Sequence, residues 1–345
     1  MKSPLPPSSP WQLLYGGAHR LRRRWYRGRA RRLPRPVISV GNLHWGGAGK
    51  TPLVAALAAH LRDRGLAVCI LSRGYGSRGR GVRVVSAGQG PLLDPQAAGD
   101  EPALLAGELP GVAVVVGPDR YQAGLEALRR LDPAPDLFLL DDGFSHLALA
   151  RDLDLVAFPA SDPFGGGRLL PSGRLREPLA AVRRAQAAIL TGAPDRDGRD
   201  DPGAALAAAL RSHGFTGPGF ASVTRPGTPR RTDGEELPAG ARVLLVTAIA
   251  RPEAFAALAR SLGLGIAGEL RFPDHHRYPP ASLARIAAAW RTSGIRSEAG
   301  AVLVTSKDRV KLLGRLDVPL AELPIRADPE PAFWEWLDRE LDRLR

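Results

Sequence analysis

The chain has one cysteine, Cys69, in 345 residues. A single thiol cannot build an internal disulfide framework, and its scarcity fits a reducing compartment. Cys69 lies in the apolar run LAVCIL, where a small thiol packs as a core residue. No stretch approaches the roughly 18 uninterrupted apolar residues of a membrane-spanning helix, and the start of the chain lacks the apolar region of a signal peptide. The expected location is therefore cytoplasmic. Lysine is also scarce: of 48 basic residues, only Lys2, Lys50, Lys307 and Lys311 are lysine. Arginine is the default cation here, so a lysine inside a motif carries more information than usual.

What is present belongs to a globular protein. With 44% hydrophobic residues the chain can bury a sizeable core, and its length exceeds the size at which single cores stop growing, so two domains are expected. The net charge of +13 suits nucleic acid, an acidic membrane surface or a phosphorylated substrate. Much of the excess lies in WQLLYGGAHRLRRRWYRGRARRLPRP, residues 11–36, where Trp11, Leu13, Leu14, Tyr15, Leu21, Trp25 and Tyr26 mix with an arginine cluster. Apolar anchors beside dense cation read as a segment lying on anionic lipid, a solvated or RNA-binding arm being the alternative.

From Pro36 onward, short apolar runs alternate with helix-type stretches: VISVGN then residues 51–64, AVCILSRG, VAVVVG then 122–131, LFLLDDG, LDLVAFP and AAILTG. That alternation predicts βαβ units and a parallel sheet, hence an α/β fold. After a Gly-, Pro- and Arg-rich stretch, a second series follows with RVLLVTAI, IAGELRF, AVLVTSKD and a last helix from Pro331. The expected division is a basic amphipathic segment over 1–36, a nucleotide-binding domain over 37–225 and a smaller α/β domain over 226–345.

VISVGNLHWGGAGKTPLVAAL places Gly46, Gly47, Gly49, Lys50 and Thr51 between a strand and a helix. Glycines let backbone N–H groups turn onto phosphate oxygens, lysine neutralises β/γ charge and threonine reaches Mg²⁺. The loop is a variant of the P-loop, because His44 stands where the usual spacing puts a glycine. His44, Trp45, Gly46, Gly47, Ala48, Gly49, Lys50 and Thr51 form the expected ATP-contact segment. The fold class is thus a P-loop NTPase-type parallel sheet with a second, smaller α/β domain.

LFLLDDGFSH ends a strand in Asp141 and Asp142, where a further carboxylate of the metal environment belongs in P-loop enzymes; a plain strand-end turn is the alternative. AGDEPALLA puts Asp100 and Glu101 before an apolar helical run, which reads equally as a helix cap with an acidic first turn. FPDHHRYPP supplies Asp274, His275 and His276, a carboxylate beside an imidazole able to tune a base. Arg73, Arg78 and Arg120 follow strand candidates, and Arg168, Arg174, Arg176 and Glu177 share one glycine-rich loop; guanidinium forks suit phosphate, although a surface role is common in so arginine-rich a chain.

Taken in order, VGNLHWGGAGKTP, LSRGYGS, GDEPALLA, GPDRYQAG, LDDGFSH, LLPSGRLREPL, FPDHHRY and VTSKDRVKL closely resemble the tetraacyldisaccharide 4'-kinase family of lipid A biosynthesis, from about Trp11 to Lys311. The resemblance implies transfer of the ATP γ-phosphate to the 4'-hydroxyl of a lipid disaccharide 1-phosphate, with Mg²⁺, at the cytoplasmic face of a Gram-negative inner membrane. It gives Lys50 and Thr51 to ATP and Mg²⁺, Asp100 the role of base assisted by His275, Asp142 and Glu177 the metal environment and Asp141 its support; Arg73, Arg120 and Asp141 are expected on the substrate side. Neither nucleic acid nor an obligate protein partner is expected. Two departures stand out: Ala48 in place of the family's Thr or Asn, and TAIARPEAF, which lacks the glycines of TGIGNPxxF. The competing readings are a P-loop NTPase coupling hydrolysis to metal delivery or protein targeting, with VTSKD at 304–308 as a base-reading loop or a helix cap, and a non-catalytic membrane- or RNA-binding module, which leaves the phosphate loop unexplained.

Overall fold

The structure is a computed structural model that describes residues 16–17, 21, 24–26, 28–195, 200–295 and 300–344. Strand β1, Val37–Asn42, is buried at every position, as a strand must be when helices cover both faces of a parallel sheet. It runs parallel to β5 (Leu137–Asp141) on one side and β6 (Leu153–Pro159) on the other. Gly41 is required in it, because a Cβ there would lie 2.4 Å from the Cβ of Phe144.

Beyond β5 lie β2 (Val68–Ser72), β4 (Ala113–Val116) and an antiparallel edge strand β3 (Arg83–Ala87). Beyond β6 lie β7 (Ala187–Ala193), β8 (Gly219–Pro226) and an antiparallel strand β14 (Ile325–Pro329). The nine-stranded order is β14-β8-β7-β6-β1-β5-β2-β4-β3. Strands β1, β2 and β5 end in Asn42, Ser72 and Asp141, and in such sheets the carboxyl ends of the strands open onto the ligand crevice.

Helix α1 (Lys50–Asp63) buries Leu53, Val54, Leu57, Ala58 and Leu61, the stripe that a 3.6-residue period directs inward. Helices α2 (Pro95–Ala98), α3 (Asp100–Glu108), α4 (Arg120–Arg130) and α5 (Pro202–Arg211) complete the layers around this sheet. The second sheet contains β9 (Arg230–Arg231), β10 (Arg242–Thr247), β11 (Gly265–Arg271), β12 (Gly300–Thr305) and β13 (Leu320–Leu323) in the order β11-β10-β12-β13-β9. It carries α6 (Pro252–Ser261), α7 (Pro280–Thr292) and α8 (Ser306–Leu312).

The chain then returns. β14 pairs with β8 of the large sheet, and α9 (Pro331–Leu344) inserts Phe333, Leu337 and Leu341 into the core that holds Leu53 and Leu57. His60 of α1 stacks on Trp334 at 4.4 Å and its Nε2 lies 2.8 Å from Asp338. The segment after Leu323 thus differs from the expected assignment of 226–345 to one smaller domain: its apolar face is complementary to α1, not to the second sheet. Of the expected amphipathic segment at 1–36, Trp11, Leu13, Leu14 and Tyr15 lie outside the described residues. Leu21 and Trp25 are exposed, and the Arg29 guanidinium lies 4.0 Å over the Trp25 ring.

Candidate active site

A cleft of about 980 Å³ opens between the carboxyl edge of the large sheet and the second sheet. One wall is the phosphate loop. Gly49 adopts φ 65°, and a Cβ there would sit 3.0 Å from the Thr191 side chain. The Thr191 hydroxyl donates to the carbonyls of Ala48 and Phe158 at 2.9 and 3.2 Å, pinning the loop from behind. The Ala48 side chain is buried, so the departure at this position leaves the loop's backbone free to face a ligand. Trp45 is exposed on the cleft wall, and its N–H donates to the Arg174 carbonyl at 2.6 Å. His44 is buried edge-on to Phe158; burial lowers its pKa, and neither ring nitrogen has a partner among the described residues.

Lys50, at the start of α1, directs Nζ to Asn42 Oδ1 at 3.0 Å and Asp142 Oδ1 at 3.2 Å. Arg176 grips the same Asp142 with two contacts of 2.9 and 3.0 Å and also donates to Asn42 Oδ1. Burial alone would raise the Asp142 pKa, but Lys50 and then Arg176 hold it well below the carboxylate range. Asp142 has φ 53°, which turns the chain sharply after β5 and parts its side chain from that of Asp141. Asp141 is buried, accepts from Ser72 Oγ at 3.3 Å, and its Oδ1 has no hydrogen-bond partner among the described residues. Burial, then the charges of Glu101 and Asp142, push its pKa up to about 7.

Thr51, Asp141 and Asp142 line this wall together. An orphaned carboxylate oxygen, a second carboxylate and a hydroxyl beside a phosphate loop fit Mg²⁺, which is ordinarily held by one or two carboxylates plus substrate phosphates and waters. No group of three or more His, Cys, Asp or Glu forms a metal cage among the described residues.

The opposite wall carries the second cluster. Gly99, not Asp100, caps α3, and no side chain bonds to that helix end. Asp100 is therefore not the cap, although it and Glu101 do stand in the first turn of the helix, as the acidic-first-turn reading expects. Its Oδ2 lies 3.8 Å from His275 Nδ1 and 3.2 Å from Lys311 Nζ. Burial works to raise the Asp100 pKa, but His275 and Lys311 outweigh it and hold it below its ordinary value; contact with Asp100 raises that of His275. His275 has φ 60° and lies edge-on to Tyr75 at 5.8 Å. Glu101 accepts from Lys307. Arg73 and Arg120 line the same cleft; Arg120 is buried, and its pKa is pulled down to about 10 by burial and by neighbouring Arg73.

Two expectations meet a different structure. Glu177 is buried away from the cleft, accepting from Ser145 at 2.6 Å and from both terminal nitrogens of Arg184 at 3.0 Å. Its carboxylate is committed to that pair, so it braces the loop instead of facing a metal. Asp308 of the VTSKD loop is fully buried and joined to Thr305, which caps α8; the cap reading holds and the base-reading one does not. The divergent segment 248–251 presses on the phosphate loop: a Cβ on Gly47 would lie 3.4 Å from that of Ala250, and Ile249, Ala250 and Arg251 line the cleft.

A family model described as tetraacyldisaccharide-1-P 4'-kinase matches residues 7–342. The chain belongs to this kinase family. A tetraacyldisaccharide 4'-kinase from Pelobacter propionicus is 42% identical over 332 residues, covering 93% of this chain and 89% of that protein. The one from Geobacter metallireducens is 41% identical, covering 88% of each. A crystal structure of LpxK from Aquifex aeolicus in complex with ATP superposes with a TM-score of 0.74 at 32% identity, covering 97% of both chains. A P-loop kinase fold is therefore shared with the tetraacyldisaccharide 4'-kinase family over the whole site.

Sequence reasoning missed Asn42, Lys307 and Lys311 as site residues. Asn42 lies within VGNLHWGGAGKTP, but as the last residue of an apolar strand it is not among the residue types that announce a phosphate loop. The two lysines did carry one: in a chain with four lysines, three border this cleft.

Proposed function

We propose that the chain transfers the γ-phosphate of ATP to the 4'-hydroxyl of a tetraacyldisaccharide 1-phosphate, giving the 4'-phosphorylated lipid A precursor. The observation that carries this reading is one cleft with a lysine-bearing phosphate loop on one wall and a carboxylate–imidazole pair on the other. Lys50 and Arg176 would neutralise phosphate oxygens once ATP draws them from Asp142. Mg²⁺, held by Thr51, Asp141 and Asp142, would offset charge on the β and γ oxygens. Asp100, braced by His275, would accept the hydroxyl proton as the sugar oxygen bonds to phosphorus and the bond to the departing ADP oxygen breaks. Arg73 and Arg120 suit the anionic disaccharide.

Peripheral attachment to the cytoplasmic face of the inner membrane fits the basic amphipathic segment at 1–36. No helix among the described residues is long and apolar enough to cross a membrane. The reading requires neither nucleic acid nor an obligate protein partner. Its test is labelled ATP with a panel of lipid A precursors. Label transferred to the tetraacyldisaccharide 1-phosphate is the expected result. ATP hydrolysis that this lipid leaves unchanged, without labelled lipid, would favour a hydrolysis-driven NTPase.

A further inference from the structure

The base lies at the junction of the two sheets, and one of its partners has no part in the chemistry described above. Lys311 belongs to α8 on the second sheet and is buried. Its Nζ lies 3.2 Å from Asp100 Oδ2 on the first sheet's α3, donates to the His276 carbonyl at 3.2 Å and stands 3.6 Å from Asp308 Oδ1. Asp308 is itself fixed: it takes hydrogen bonds from the Thr305 hydroxyl at 2.9 Å and the Ala248 N–H at 3.0 Å. Tyr278, wholly buried beside it, keeps its phenol protonated through burial and the Asp308 charge. Both close contacts of Asp100, from His275 and from Lys311, fall on Oδ2, and Asp100 lines the cleft.

We propose that Lys311 is a positioning residue for phosphoryl transfer, holding Asp100 by one carboxylate oxygen so that the other is presented to the acceptor hydroxyl. The inference rests on the functional reading given above. It also assigns a purpose to the TSKDRVK stretch: Thr305 caps α8 and fixes the buried Asp308, whose carboxylate lies beside Lys311, and Lys311 in turn holds Asp100. A lysine suits this task better than the chain's default arginine. The spread donors of an ammonium reach Asp100 and the His276 carbonyl in different directions while its charge stays 3.6 Å from Asp308, whereas a planar fork favours one partner.

Lys311 and His275 lie against Asp100; around them stand Asp274 beside His275, Asp308 beside Lys311, Tyr278, whose phenol feels the Asp100 charge, and Lys307 paired with Glu101. Among these Lys311 is the cation nearest to Asp100, at 3.2 Å, and it contributes to holding that carboxyl below its ordinary pKa. Removing it should therefore raise the pKa of Asp100. The acidic limb of the kcat profile should move up by about one pH unit, with kcat at neutral pH lowered on the order of tenfold and KM for ATP unchanged.

The experiment uses the full chain with tetraacyldisaccharide 1-phosphate and ATP, comparing Lys311→Met, Lys311→Arg and the double variant Asp308→Asn/Lys311→Met. The double variant leaves no uncompensated buried carboxylate, so it keeps the test open should the single variant unfold. Expected are a raised acidic limb and lowered kcat in both methionine variants, with the limb restored in Lys311→Arg. A folded methionine variant with unmoved kcat and limb overturns the positioning role, as does a lower kcat with an unmoved limb, which packing alone explains. Failure of the unmutated chain to phosphorylate the lipid would instead overturn the functional reading and this inference with it.

Discussion

Replacing Lys50 with methionine removes the ammonium at the phosphate loop while keeping a side chain of similar length. At 3.2 Å from Asp142 Oδ1, its gross attraction at an effective dielectric of 20 is about 5 kcal/mol. Little of that is net stability, because Arg176 holds the same carboxylate by two contacts and Asn42 accepts from both cations. The net loss should be about 1 kcal/mol, lowering Tm by about 2 °C. With ATP bound, Arg176 and Mg²⁺ would still offset part of the phosphate charge, but loss of a preorganised donor of this kind costs about a thousandfold in kcat, or about 4 kcal/mol. Thermal unfolding and initial rates of labelled phosphate transfer read the two effects separately. Transfer within a few-fold of the unmutated rate by a folded variant would refute the role of Lys50, and a drop in Tm of ten degrees or more would show it to be structural.

Thr51→Ala should raise the Mg²⁺ concentration needed for half-maximal transfer, since it deletes a hydroxyl suited to the ion; a superimposable Mg²⁺ titration would reject that role. Glu177→Ala should destabilise the chain by about 3 kcal/mol, because it strands Arg184 in a largely buried site, while the Mg²⁺ requirement stays the same; denaturant titration and Mg²⁺ titration together decide. Deleting residues 1–32 should weaken co-sedimentation with anionic vesicles in a salt-dependent way, each basic residue near the surface contributing about 1 kcal/mol, and equal binding before and after deletion would contradict the membrane segment.

The strand–loop–helix around Lys50 was legible because three independent signals agree there: a buried apolar run, glycines, and a helix with an inward stripe. The expected VISVGN strand and the helix from Thr51 match β1 and α1 to within a residue at each end. Strand β3 was not anticipated, since an edge strand with only two buried residues and a register shift leaves a weak alternation. The return of β14 and α9 to the first sheet is a matter of which apolar faces fit together, and local pattern does not encode that. The proposed base and its imidazole were legible as residue types, but Asp100 is 175 positions from His275, and only tertiary structure sets them 3.8 Å apart. Glu177 shows the converse: an acid in a motif is read as a ligand until its buried arginine is seen.

A double-mutant cycle at Asp100 and His275 tests most directly whether a base is assembled from both sheets. The reading predicts that Asp100→Ala lowers kcat for lipid phosphorylation far more than it raises KM, that His275→Ala does the same less severely, and that the double variant loses much less than the product of the two. Losses that multiply as independent factors, or an Asp100→Ala chain that simply melts with its remaining folded fraction fully active, would contradict it.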